Sequence, residues 1–134
     1  MKEAKVEFLG FVKAGFPSPA EDYLEPAVDF NALLIQHPYA TFCMRVQGES
    51  MVDAFIPNGA IVVVDRSIQP VNNSIVVVTL DGERMIKHLV RTMDGIFLLP
   101  ANEKYKSIKI EEGMDFSVWG TVTHVLIDVF KPRI

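Results

Sequence analysis

Short runs of β-branched and other apolar residues, each ended by turn-forming residues, fill most of the chain from residue 41 onward. Valine and isoleucine dominate these runs and suit a pleated, half-buried strand. Turns are expected where glycine follows asparagine or aspartate, as at Asn58-Gly59, Asp81-Gly82 and Asp94-Gly95. Strands this closely spaced, with no helical pattern between them, predict a mostly β fold of antiparallel sheets that closes or folds over on itself. The predicted strands are Thr41–Gln47, Ala60–Asp65, Ser74–Leu80, Arg84–Arg91, Ile96–Leu99, Ser107–Ile110 and Asp115–Phe130.

The N-terminal part of the chain follows a different pattern. Residues 1–14 mix charged and apolar residues and predict a short arm, while residues 15–28 begin with the proline-rich segment GFPSPAEDYLEP and predict an extended linker. Residues 29–134 then form the predicted packed domain. This domain should open with a short helical turn near residues 29–36, which Asp29 can cap and Pro38 ends.

Composition limits the classes of function that the chain can have. The 134 residues fit one compact domain, and 49% of them are hydrophobic, which is enough for a core. A net charge of −4 argues against direct nucleic-acid binding, because phosphate contacts require a basic surface. The single cysteine, Cys43, is expected to be buried and excludes an internal disulfide, so a reducing, cytoplasmic location is predicted. No signal peptide, membrane anchor or membrane partner is expected from the N-terminal sequence.

One hairpin can be placed in register from the sequence. Asp81-Gly82 between two apolar runs is a strong signal for a two-residue turn. That turn pairs Leu80 with Glu83, Val78 with Met85 and Val76 with Lys87. Because side chains alternate along a strand, Lys87 then lies on an apolar sheet face. Such a lysine either reaches solvent at the rim or is buried for a purpose, and burial would lower its pKa towards that of a general base.

Ser50 is the candidate nucleophile that could use this base. It follows the predicted strand Thr41–Gln47 within Gln47-Gly48-Glu49-Ser50-Met51, and Gly48 leaves room for a close backbone approach. The backbone N–H groups of Glu49 and Ser50 could then form an oxyanion hole. Taken alone, these features are more typical of an ordinary turn serine and a solvated strand lysine. A metal or cofactor is not expected, because His37, His88 and His124 lack metal-ligand spacing.

The motifs as a set resemble the UmuD/LexA family of self-cleaving serine peptidases, and most closely its UmuD branch. Lys87 follows Ser50 by 37 residues, the spacing of that family, and the similarity covers roughly residues 15–128. The segments that carry it are Gly15–Ala20, Asp29–Pro38, Gly48–Met51, Gly82–Lys87, Pro100–Asn102 and Val118–Val122.

The resemblance implies the peptidase fold of that family, a Ser50–Lys87 dyad and a scissile bond between Ala14 and Gly15. Small residues at that bond can enter a narrow cleft. Alanine before this glycine is typical of LexA, whereas the UmuD branch has cysteine there. The resemblance further implies a role in SOS mutagenesis after DNA damage, with cleavage triggered by the RecA–single-stranded-DNA filament. The trimmed homodimer would then assist a UmuC-type, Y-family translesion polymerase.

Other interpretations remain open at this stage. The chain could be a non-catalytic regulatory dimer, or a repressor-derived module that binds a partner. No helix-turn-helix precedes residue 14, so a DNA-reading repressor is not expected. Signal peptidase also uses a serine–lysine dyad, but it requires a membrane anchor. The long apolar run Asp115–Phe130 offers an edge that a second copy would cover, which also favours a homodimer.

Overall fold

The computed structural model describes residues 5–16 and 27–130. These residues fall into two compact units, one up to Gln36 and one from His37 onward. Most of the predicted linker, residues 17–26, lies outside the described residues, so the predicted boundaries of arm, linker and domain remain predictions.

The first unit contains the predicted helical turn. Helix α1 spans Phe30–Leu34, and the Asp29 carboxylate accepts hydrogen bonds from the backbone N–H groups of Asn31 and Ala32 at 3.0 and 3.3 Å. These bonds satisfy two donors that the start of a helix leaves without partners, so the prediction that Asp29 caps this turn is confirmed. Val6 and Val28 form an isolated antiparallel bridge in the same unit.

The second unit is a seven-stranded antiparallel sheet, which confirms the predicted mostly β fold. Its strands, in chain order, are β1 Thr41–Arg45, β2 Ile61–Asp65, β3 Ile75–Leu80, β4 Glu83–Thr92, β5 Gly95–Leu99, β6 Ile108–Lys109 and β7 Phe116–Leu126. Across the sheet they lie in the order β1-β2-β7-β3-β4-β5-β6. Among the described strands, β1 and β6 are therefore the two edges, and hydrogen bonds do not close the sheet into a barrel.

The β3–β4 hairpin has the register predicted from its turn. Val76 pairs with Lys87, Val78 with Met85 and Leu80 with Glu83. Asp81 and Gly82 have φ angles of 50° and 84°, the left-handed values that a two-residue hairpin turn requires.

Strand β7 lies in the middle of the sheet. It pairs with β2 on one side and with β3 on the other. The expectation that the edge of Asp115–Phe130 is exposed and favours a homodimer is therefore wrong in its reasoning, because both edges of β7 are already hydrogen-bonded. The homodimer itself stays a prediction that rests on the resemblance.

Two apolar clusters cover opposite faces of β3. Val77 belongs to one cluster, together with Met51 and Ile56, while Val76 and Val78 belong to the other with Leu89 and Leu98. Alternation along the strand produces this division. The edge strand β1 is less covered, and Cys43 on it is exposed rather than buried as predicted. Among the described residues, no helix has the length and apolar character needed to cross a membrane.

Candidate active site

The serine loop connects β1 to a short 3₁₀ turn at Val52–Ala54. Gly48 has a φ of 97°, a left-handed value that favours glycine, so this residue can redirect the chain at the end of the strand. Its N–H donates a hydrogen bond of 2.7 Å to Oδ1 of Asn58. Ser50 follows two residues later and is half-buried.

The backbone around Ser50 is held by the segment that follows β5. The N–H of Ala101 donates to the carbonyl of Ser50 at 2.7 Å, and the N–H of Asp53 donates to the carbonyl of Ala101 at 2.7 Å. Nδ2 of Asn102 donates to the carbonyl of Glu49 at 2.8 Å. Within the described part of the chain, the N–H groups of Glu49 and Ser50 form no hydrogen bond, so both are available to an incoming acceptor.

Lys87 lies in β4 on the sheet face formed by Val76, Val78, Met85 and Leu89. Only 8% of its surface is exposed. No described carboxylate pairs with it, and its Nζ lies 5.6 Å from the ring centroid of Tyr105. Burial therefore acts without a compensating negative charge and lowers the pKa of Lys87 below its ordinary value of 10.5.

The segment after β5 contacts both candidate catalytic residues. It binds the backbone of Ser50 through Ala101 and carries the Tyr105 ring that faces Lys87. Ser50 also lines a groove of about 260 Å³, together with Val77, Met85 and Ile86, and Lys87 is not among the residues that line this groove. No described residue hydrogen-bonds to the Ser50 hydroxyl or to Lys87 Nζ, so the two side chains are not directly bonded to each other.

The predicted scissile bond lies in the first unit. Ala14 and Gly15 are both exposed, and a side chain added at Gly15 would meet no atom within 4 Å.

The histidines and Asp65 lie in structural networks. Asp65 is buried at the end of β2, where Oδ1 accepts hydrogen bonds from the N–H and hydroxyl of Ser67 at 2.8 and 2.6 Å. Its Oδ2 lies 2.5 Å from Nδ1 of His37. Burial acts to raise the pKa of Asp65, but the bonds from Ser67 and His37 outweigh it and lower the pKa to about 2. A carboxylate only accepts, so Nδ1 of His37 carries the proton in this pair.

His88 and His124 contact neighbouring oxygens at Asn73 and Thr123, respectively. Across residues 5–16 and 27–130, no group of three or more histidine, cysteine, aspartate or glutamate side chains could hold a metal ion.

Two site residues escaped prediction as functional. The sequence singles out Asn102 only as part of the Pro100–Asn102 motif. Tyr105 belongs to none of the motifs. Their contacts with Glu49 and Lys87 join distant parts of the chain, 53 residues apart in the case of Asn102 and Glu49. The motif at Pro100–Asn102 was the one available signal.

A half-buried serine with unbonded backbone N–H groups beside it is a feature of serine peptidases, and the same β-sheet unit buries a lysine without a described carboxylate partner. The Peptidase S24-like family matches residues 7–123, and the chain belongs to that family.

Three relatives cover most of the chain. Protein ImpA of Escherichia coli is 38% identical over 120 residues, which span 89% of this chain and 81% of ImpA. Protein MucA of Escherichia coli is 36% identical over 122 residues, with 90% and 83% covered. Protein SamA of Salmonella typhimurium is 41% identical over 110 residues, with 82% and 76% covered.

Proposed function

We propose that the chain is a self-cleaving serine peptidase that cuts its own Ala14–Gly15 bond. Neutral Lys87 takes the proton of the Ser50 hydroxyl, and Ser50 Oγ attacks the carbonyl carbon of Ala14. The N–H groups of Glu49 and Ser50 stabilise the oxyanion that forms. Gly15 leaves as a new amino terminus with the proton from Lys87, and water then hydrolyses the acyl-enzyme and releases residues 1–14.

One observation carries this proposal. Lys87 is buried without a described carboxylate partner, and burial lowers its pKa. Desolvation without an ion pair disfavours the charged form, so burial of this kind costs a structural lysine stability. A lysine that acts as a general base benefits from the same burial, because its lowered pKa increases the fraction of neutral amine near physiological pH.

The substrate is part of the same chain or of an identical one. A tethered bond has a high effective concentration at the site, so a modestly tuned base is sufficient. The rate is then the product of two populations, the fraction of chains with the bond in place and the fraction with neutral Lys87.

We also propose a biological setting, which is supported by the resemblance to the UmuD/LexA family. Cleavage is triggered by the RecA–single-stranded-DNA filament during the SOS response to DNA damage. The trimmed chain, as a homodimer in the cytoplasm, then assists a UmuC-type translesion polymerase. A RecA filament assembled on single-stranded DNA should therefore accelerate cleavage at neutral pH, whereas RecA without DNA should not.

The direct test is intact-mass spectrometry of the purified chain across neutral to alkaline pH. The neutral fraction of Lys87 grows as pH rises to its lowered pKa, so the rate should rise with pH and then level off. The product should run from Gly15 to Ile134. Ser50→Ala and Lys87→Ala should each abolish it, whereas the matched surface variants Ser107→Ala and Lys109→Ala should cleave normally.

Each alternative gives a different result. An unchanged mass at every pH, with and without the RecA filament, would favour a non-catalytic regulatory dimer or a repressor-derived binding module. Cleavage that survives in Lys87→Ala would identify another base. Cleavage at a bond other than Ala14–Gly15 would overturn the assignment of the substrate and leave the dyad in place.

A further inference from the structure

The segment after β5 fixes two consecutive peptide groups of the serine loop. The Glu49 carbonyl belongs to the peptide that carries the Ser50 N–H, and Nδ2 of Asn102 donates to that carbonyl at 2.8 Å. The Ser50 carbonyl belongs to the next peptide, and the N–H of Ala101 donates to it at 2.7 Å. A second donor to the Glu49 carbonyl, the N–H of Val52, lies at 3.4 Å and is the weaker of the two.

Because the peptide bond is planar, the Asn102 contact with the Glu49 carbonyl also sets the direction of the Ser50 N–H. In a trans peptide the C=O and N–H groups point in opposite directions, and no described peptide bond is cis. A donor that holds the Glu49 carbonyl on one side therefore directs the Ser50 N–H to the other. That N–H forms no hydrogen bond to a described residue, so it is left ready for an acceptor.

The Asn102 amide is itself held in one orientation. Its Oδ1 accepts a hydrogen bond of 3.0 Å from the N–H of Lys104, so its Nδ2 must be the group that faces the Glu49 carbonyl. The two ends of this side chain thus have separate roles. The oxygen stabilises the local turn, and the nitrogen reaches the serine loop.

We propose that Asn102 is a positioning residue that orients the Ser50 N–H as a donor to the oxyanion formed during cleavage. This inference rests on the proposed function of Ser50. Asn102 does not touch the reacting atoms and acts through the Glu49–Ser50 peptide. Removing one oxyanion donor slows acyl transfer by roughly 10²–10³-fold in other enzymes. Because the N–H remains present and loses only its fixed orientation, we expect a loss of about ten- to one-hundredfold.

Two substitutions separate the roles of the two ends. Asn102→Asp keeps the acceptor for Lys104 and loses the donor to Glu49, while Asn102→Ala loses both. Self-cleavage rates are compared on the alkaline plateau, where Lys87 is fully neutral, so that the new carboxylate cannot act by shifting its titration. Asn72→Asp is the matched control, because Asn72 uses its side-chain oxygen to accept from the N–H of Arg91 and aspartate retains that bond.

The expected result is that Asn102→Asp and Asn102→Ala both lose about ten- to one-hundredfold on the plateau, while Asn72→Asp cleaves like the parent chain. Retained cleavage in Asn102→Asp with loss in Asn102→Ala would overturn the proposal and assign Asn102 to the local turn alone. Normal cleavage in both variants would overturn it as well.

A spectroscopic measurement tests the contact without activity. In uncleaved Ser50→Ala protein, the ¹³C shift of the Glu49 carbonyl should move upfield when Asn102→Asp is added, and the amide resonance of residue 50 should broaden or shift. Adding Asn72→Asp should leave both unchanged. Unchanged resonances with Asn102→Asp would refute the positioning role. If the parent chain shows no dyad-dependent cleavage, the proposed function fails, and this measurement still decides whether Asn102 fixes the peptide.

Discussion

Asp65→Asn should destabilise the fold at neutral pH and have little effect in acid. The pKa of Asp65 falls from 3.8 to about 2 on folding, because the bonds from Ser67 and His37 favour the carboxylate. A pKa unit corresponds to about 1.4 kcal/mol, so the charged form contributes about 2 kcal/mol to the free energy of unfolding.

The sign follows from the direction of the pKa shift. A lowered pKa means that the unfolded chain binds the proton more tightly, so this contribution is complete above about pH 4. It disappears as pH falls to about 2. Protonated aspartate offers a carbonyl acceptor and a donor group, as asparagine does with its carbonyl and NH₂ groups, so the two chains should be almost equally stable there.

Urea denaturation at a series of pH values between about 2 and 7 measures this difference. The parent for the comparison carries Ser50→Ala, so that cleavage does not interfere. We expect a loss of about 2 kcal/mol at neutral pH, equivalent to roughly 8–16 °C in Tm for a unit of this size. Asp94→Asn, in an exposed turn, is the matched control and should change stability by less than about 0.5 kcal/mol.

Two outcomes would refute the reasoning about Asp65. A loss of the same size at pH 7 and near pH 2 would mean that the carboxylate acts through packing and not through its charge. A neutral-pH stability equal to that of the parent would mean that the bonds to Ser67 and His37 only offset the cost of burying the carboxylate.

Three further predictions concern the sheet. Lys87→Met should raise the free energy of unfolding at neutral pH, by roughly 0.5–2 kcal/mol, because it removes a buried ammonium without a described carboxylate partner. This gain should shrink as pH rises towards 10.5, because a lowered lysine pKa costs stability only while Lys87 is protonated in the unfolded chain. Denaturant titrations at several pH values measure the gain, and a gain that does not change with pH would contradict this account. Gly82→Ala should lower the free energy of unfolding by about 1 kcal/mol in thermal unfolding, because φ at this position is 84°. Gly82→Asn should cost less, because asparagine tolerates left-handed φ values better than alanine. Equal losses in the two variants would show that backbone strain is not the cause. Leu98→Ala, at a fully buried position, should cost about 2–5 kcal/mol in urea denaturation, and a loss below 1 kcal/mol would show that the second cluster tolerates a cavity.

Local pattern was sufficient for the hairpin that carries Lys87. Asp81-Gly82 specifies a two-residue turn, the turn sets the register, and a period of two then decides which residues share a face with Lys87. The same kind of reasoning located α1 through Asp29, whose side chain contacts N–H groups only two and three residues away.

Strand order and residue exposure could not be predicted in this way. The run at residues 115–130 indicates a strand, but nothing within it indicates that β7 inserts between β2 and β3. Neighbours in a sheet are chosen by the packing of the whole unit, so the run alone cannot show that both of its edges are paired. The prediction that Cys43 is buried fails for a similar reason, since apolar neighbours in sequence do not reveal that β1 is an edge strand.

The sequence by itself determined the strands and the register around Lys87, because these depend on residues close together in the chain, and its motifs as a set predicted the candidate pair Ser50 and Lys87 through their resemblance to a family. Only the tertiary structure decided what surrounds the pair. The bonds from Ala101 and Asn102 to the serine loop, and the ring of Tyr105 over Lys87, join segments that are far apart in sequence. Such contacts form only when the sheet brings distant segments together, and no local pattern records them.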